Sequence, residues 1–251
     1  MVNSALGLGG LVGVALSGAF MYWQIGRYAA PQVPRTLFDE RKEFIAYTAG
    51  LFVGIPLAVP LILYIVALQA AGLLAVLLSL GFLVGGGELA QWLLLRTLYF
   101  GSGESSPFYG LGIRAGMGGL LSLALVTYAA STASGGFGAV AFLQAFVESI
   151  AIIAVEAAAG LLSVPARQGR LGGSPFASAL FALLGFFLIG YGTLLDPGEA
   201  IAAAALAAVG GGWVFFRLRD AVLGGLLPPR APDEEDDDSP DRSSPYGRIT
   251  P

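Results

Sequence analysis

The chain is 251 residues long, 56% apolar and only 12% charged, with a mean hydropathy of +0.76. A soluble domain carries about 25% charged residues, and several apolar runs here exceed the roughly 18 residues of a membrane span, which together exclude a soluble fold. With no cysteine and no histidine, disulfides, thiolate chemistry, histidine-ligated haem and the usual zinc sites are excluded as well.

The net charge of −4 divides unevenly. Residues 231–251 hold seven acids against Arg242 and Arg248, while residues 1–230 hold ten acids against eleven basic groups. The acidity therefore belongs to the tail. Twelve arginines, a single lysine (Lys42) and an abundance of Ala, Gly and Val give a composition like that of halophile proteins.

In chain order, the first expected span covers 5–25, with Gly9, Gly13 and Ser17 at four-residue spacing, a face that lets another helix approach closely. A packing contact within the chain is the preferred use of that face, ahead of dimerisation. No basic segment precedes this span and no small-residue cleavage site follows it, which speaks against a cleaved signal peptide. A basic loop with Arg27, Arg35, Arg41 and Lys42 follows, in which Thr36 to Asp39 has the form of a capping box, so helix is expected to resume before the membrane does. The second span, 44–67, carries Pro56 and Pro60, and each proline removes a ladder hydrogen bond, so a kink is expected.

The third span, 71–95, holds Gly85–Gly87, then Glu88 and Gln91 on one face, and closes at Arg96. Ser106-Pro107 has the N-cap and N1 pattern for the fourth span, 109–131, in which Arg114 sits one turn inside and is expected to snorkel outward. The fifth span, 137–162, is the most polar, with Gln144, Glu148 and Glu156. Ser174-Pro175 opens the sixth, 175–194. Asp196-Pro197-Gly198-Glu199 opens the seventh, 198–217, with Asp at the N-cap, Pro at N1 and Glu at N3. Beyond Pro229 the acidic, Ser/Pro-rich segment is expected to be a disordered tail.

With seven spans, all thirteen Lys and Arg fall on one side. The positive-inside rule then puts the amino terminus outside and the tail in the cytoplasm. The expected fold is all-α: residues 1–230 form one bundle of seven transmembrane helices, multi-pass in the cell membrane, and 231–251 form the tail.

One stretch echoes another. Glu88 to Phe108 and Glu156 to Phe176 match at eight of twenty-one positions, including the glutamate and a terminal Ser-Pro-Phe. Either two parallel hairpins arose by duplication, as in transporters with tandem repeats, or generic helix caps coincide in an Ala/Leu/Gly-rich chain.

Three glutamates stand inside spans, where a charge costs roughly 2.5–3.5 kcal/mol on insertion scales. Glu88, Gln91, Gln144, Glu148 and Glu156 are the candidate polar path, with Arg96 and Arg114 as candidate counter-charges. Glu148 lies nearest the midplane and, without a twin in the echo, is the better candidate for chemistry. Against a path stands the reading in which buried acids are held neutral or paired to fix helix packing. The residues favour an accessory or structural membrane subunit, with a carrier or channel for ions, protons or small solutes as the alternative. An enzyme is not expected: no span holds an aspartate or histidine for an intramembrane hydrolase. No cofactor and no metal site is expected either, since the acidic run Asp233–Asp238 has no fixed geometry. The topology is that of microbial rhodopsins, but covalent retinal needs a lysine in the last helix, and Lys42 lies in the first loop. The expected partners are the lipid bilayer and a membrane protein or second copy on small-residue faces, not nucleic acid.

Overall fold

The computed structural model describes residues 7, 10–28, 38–70, 72–96, 106–132, 138–163 and 174–223. The acidic tail, Thr36, Arg167 and Arg170 lie outside the described residues. All described elements are helical. A π-helical turn, Gly10–Val14, leads into α1 (Ala15–Tyr28), followed by α2 (Glu40–Gln69), α3 (Leu73–Arg96), α4 (Ser106–Thr132), α5 (Ala139–Leu162), α6 (Pro175–Gly192) and α7 (Pro197–Val222). Six of these, α2 to α7, are long and apolar enough to cross a membrane. The α-helical part of α1 is 14 residues, short of the roughly 20 that a full crossing takes.

Helix starts follow local chemistry. Ser174 is an N-cap whose Oγ accepts from Ala177 N at 3.1 Å, with Pro175 in the first turn. Asp39 is the N-cap of α2 rather than the third residue of an earlier turn: its backbone is extended and its carboxylate accepts from Arg41 N at 2.9 Å and Lys42 N at 3.4 Å. The helix therefore begins four residues before the expected span. Asp196 caps α7 in position but without a side-chain hydrogen bond. The α2 helix runs unbroken through Pro56 and Pro60, with Pro56 exposed on the outer face.

Two helices form the centre. In α4 and α5, 78% and 72% of the apolar window is buried, against 28–33% for the other four spans. Around this pair run α1, α2, α3, α6 and α7, each packed on the next; α7 meets α1 through Phe20 and Phe215, whose rings lie 5.4 Å apart. The exposed residues of the ring are large and apolar, among them Phe52, Leu74, Phe82 and Leu206. An outward apolar face suits hydrocarbon rather than water.

Successive helices alternate in direction. Tyr28, Phe38, Phe108, Leu161 and Val222 form one apolar cluster, so the end of α1, the start of α2 and α4, and the end of α5 and α7 meet at one end of the bundle. Arg41, Lys42, Arg96, Arg217 and Arg219 belong to that end. Gln69, Thr132, Ala141 and Thr193 line a cavity at the other.

The first helix packs inward with its small residues. A Cβ on Gly13 would lie 2.5 Å from Leu123 N and 2.7 Å from Gly119 O, and one on Gly119 would collide with Ser17 Oγ. Gly13 and Ser17 are thus used within the chain, against α4; Gly9 lies outside the described residues.

Candidate functional site

The repeated glutamates converge on one arginine. Arg114, on the central helix α4, is 1% exposed and turns into the bundle instead of snorkelling out. Its position near the helix start suggested reach to the headgroups, but α4 is enclosed by its neighbours, so the side chain finds protein on every side. Nη1 donates to Glu156 Oε2 at 2.8 Å, Nη2 pairs with Glu88 Oε1, and Nε donates to Gln91 Oε1 at 2.6 Å. Three acceptors from two helices thus occupy the planar fork, the geometry that guanidinium provides and ammonium does not.

The network extends further. Gln91 Nε2 donates to Ser163 Oγ at 2.6 Å and to Gly160 O at 3.3 Å, and Ser163 Oγ donates back to Gly160 O at 2.9 Å. Ser178 Oγ, on α6, lies 2.5 Å from Glu88 Oε1 and 2.9 Å from Ala159 O, and shares its proton between them. Four helices, α3 to α6, are tied through this polar knot. Glycines make the room: a Cβ on Gly87 would sit 3.0 Å from Arg114 Nη1, one on Gly160 3.1 Å from Arg114 Cγ, and one on Gly110 2.8 Å from Gln91 Nε2. Ser178, Gly110 and Gly160 were not singled out from the sequence, and Gly87 drew notice there as part of a glycine cluster.

Arg96, the other candidate counter-charge, is exposed and lies over the Trp92 ring, 4.1 Å from its centroid. It takes no part in the knot.

Gln144 and Glu148 form a separate site. Gln144 Nε2 donates to Glu148 Oε1 at 2.8 Å, and both line a partly open cavity of about 230 Å³ with Gln69, Tyr128, Thr132 and Thr193. Glu148 is 3% exposed, so the carboxyl sits at the cavity's base. Glu156 is two turns further along α5, about 12 Å of rise at 1.5 Å per residue. Ile152, between them along α5, is fully buried and belongs to one apolar cluster with the buried Met117 and Leu121 of α4. The five candidate path residues therefore form two sites divided by an apolar layer.

The halves of the echo also differ. Phe108 is wholly buried while Phe176 is 77% exposed, because α4 is central and α6 peripheral. The glutamates share a role, each binding Arg114, and Pro107 and Pro175 each stand in the first turn of a helix. Among the described residues no group of three or more acidic side chains is placed to hold a metal ion.

No protein family, curated protein or solved structure matches this chain.

Proposed function

We propose that this chain is a structural or accessory subunit of the cell membrane, with seven spans, its amino terminus outside and its acidic tail in the cytoplasm. The observation that carries the reading is the Arg114 knot: two of the three span glutamates are clamped to a buried arginine, Glu156 in the packed interior and Glu88 with 14% of its side chain exposed. A buried ion pair of this kind fixes which helices meet and leaves nothing to exchange with a substrate.

A partner surface supports the same reading. On α3, Gly81 and Gly85 are exposed, and a Cβ on either would meet nothing within 4 Å. Leu74, Leu78 and Trp92 continue that outward stripe, all exposed. Small residues at four-residue spacing facing hydrocarbon let a second helix approach to backbone contact. Purification of the full chain in a mild detergent, followed by native mass spectrometry, is expected to show a stoichiometric partner or a second copy. The double substitution Gly81→Leu/Gly85→Leu is expected to remove it without lowering the melting temperature. A chain that is monomeric under all mild conditions would contradict the proposal.

The orientation rests on the positive-inside rule and on the shared end of the described basic residues. The absence of native cysteine makes it directly testable. In right-side-out vesicles Ser131→Cys is expected to react with an impermeant maleimide, and Arg41→Cys only after the membrane is opened. The reverse pattern inverts the bundle.

The Glu148 cavity favours a second reading, a carrier or channel for a cation, proton or small polar solute. It requires that Glu148→Gln abolish a flux measured in proteoliposomes while the protein stays folded. An unchanged flux removes it.

A further inference from the structure

Among the described residues, two polar side chains near the basic end of the bundle are buried without a partner. Glu43, on α2, is 0% exposed, and neither carboxylate oxygen has a hydrogen bond; Gln24, on α1, is 0% exposed, and neither its amide oxygen nor its nitrogen has one. They lie in one layer of the bundle. Glu43 rests on Gly112 of α4, where a Cβ would come within 2.6 Å of Oε1. One turn along α4 on either side, Ala115 packs with Met21 and Tyr47, and Phe108 packs with Tyr28 at 5.2 Å. Gln24 stands between Met21 and Tyr28 on the same face of α1, and Glu43 stands one turn before Tyr47.

The surrounding charged and titratable groups leave the Glu43 carboxyl unbonded. On α2, Asp39 caps the helix, Glu40 and Arg41 are exposed and Lys42 is half-buried. The Tyr47 hydroxyl is 2.9 Å from Ser17 Oγ. On α1, Arg27 is exposed and Tyr28 packs edge-on against Phe108. On α4, the Tyr109 hydroxyl accepts from Asp39 N at 3.2 Å, and Arg114 is turned toward Glu88 and Glu156 of α3 and α5. None of these bonds to the Glu43 carboxyl.

An isolated ionised carboxylate in such a place is far more costly than a neutral acid. A neutral acid carries one O–H donor and one carbonyl acceptor; a primary amide carries the complementary pair. An acid–amide ring between Glu43 and Gln24 would satisfy all four unpartnered atoms with two reciprocal hydrogen bonds, after side-chain rotations within the layer.

We propose that Glu43 is a proton-binding site, held as the neutral acid at neutral pH, and that its carboxyl and the Gln24 carboxamide together form a proton-dependent latch between α1 and the α2–α4 pair. Loss of the proton leaves a bare carboxylate against the Gly112 backbone and releases α1. The proton stabilises the fold, so this stability is full at low pH and is lost as pH rises through the folded-state titration.

The test uses the full chain in lipid. Infrared spectroscopy at neutral pH is expected to show a carboxylic-acid C=O band that disappears in Glu43→Gln and persists in a Glu148→Gln comparison. Gln24→Leu is expected to shift that band to higher frequency, because the acid loses its hydrogen-bond partner. Thermal melts across pH are expected to show a fall in the wild type on the alkaline side that is absent in Glu43→Gln, whose neutral amide mimics the acid. The proposal is overturned if the band survives Glu43→Gln, if Gln24→Leu leaves it unmoved, or if both proteins melt with the same pH dependence. Failure of Glu43→Gln to fold also counts against it, since a neutral isostere should serve. A melting temperature raised by sodium over choline at equal ionic strength, in wild type but not in Glu43→Gln, would assign the site to a metal cation instead.

Discussion

Arg114→Met is expected to be among the most damaging single substitutions in the chain, because it leaves two glutamates facing each other with no cation. Removing one partner of a buried pair costs about 3–5 kcal/mol, since the remaining charge stays desolvated and unpaired. Here two carboxylates, Glu88 and Glu156, lose their donor, and Gln91 loses the Nε–H that its oxygen accepts. Arg114→Lys restores a charge but not the planar fork that reaches three acceptors, so it should fall between wild type and Arg114→Met. The triple variant Glu88→Gln/Arg114→Met/Glu156→Gln removes the charges together and should recover much of the loss, as neutral replacement of a buried ion cluster often does. Unfolding in mixed detergent, followed by tryptophan fluorescence or circular dichroism, gives the order. A triple variant no better than Arg114→Met would show that the knot contributes through shape rather than charge.

This comparison also separates the two functional readings. A structural knot predicts that the triple variant folds and still binds its partner. A transport knot predicts that it folds but loses flux.

Much of the helical layout was legible in the sequence, because apolar runs in a membrane must bond their backbones internally and announce their length. The six long helices follow the expected spans closely. The expected span starts at residue 44, and helix does resume before it, as the capping-box form implied, although Asp39 is the N-cap and not the third helical residue; Arg41, Lys42 and Glu43 were nevertheless counted with the basic loop. That misplacement hid Glu43, which is wholly buried. Gln24 escaped notice for a related reason: an uncharged residue at the end of an apolar run carries no signal until its neighbours are known.

Glu88, Gln91 and Glu156 were legible as acids and an amide where hydrocarbon was expected. Arg114 was legible as one of two candidate counter-charges, but not as the single partner of both glutamates. Arg114 was read by its depth along the helix, which suggested snorkelling; what decided its course was that α4 is ringed by other helices, a fact of tertiary arrangement. The same limit applies to Gly87, Gly110 and Gly160, whose role is to leave space for side chains distant in sequence. Glu148 stood out by its polarity, but the apolar cluster that joins Ile152, between it and Glu156 along α5, to Met117 and Leu121 appears only once α4 and α5 are packed.

The second large effect is expected at the crossing of α2 and α4, where backbone meets backbone. A Cβ on Gly116 would fall 2.1 Å from Tyr47 O and 2.8 Å from Leu51 N, and one on Gly50 would fall 2.0 Å from Ile113 O. These neighbours are main-chain atoms inside regular helices and cannot rotate aside, so the only relief is to move the helices apart. That movement would open the packing of Tyr47 against Ala115 and Met21 and pull Glu43 from its seat on Gly112. Overpacking usually costs 1–3 kcal/mol where side chains can yield; with only backbone to yield, Gly116→Ala should exceed about 3 kcal/mol, and Gly116→Val should give no folded protein. Gly210→Ala is the matched control, because a Cβ there meets nothing within 4 Å and alanine gains up to about 1 kcal/mol of helix propensity over glycine. Both variants can be compared by yield after size-exclusion chromatography and by unfolding midpoint in mixed detergent. A Gly116→Ala protein as stable as Gly210→Ala would mean that α2 and α4 do not cross at this distance, and the layer that holds Gln24 and Glu43 would have to be rebuilt.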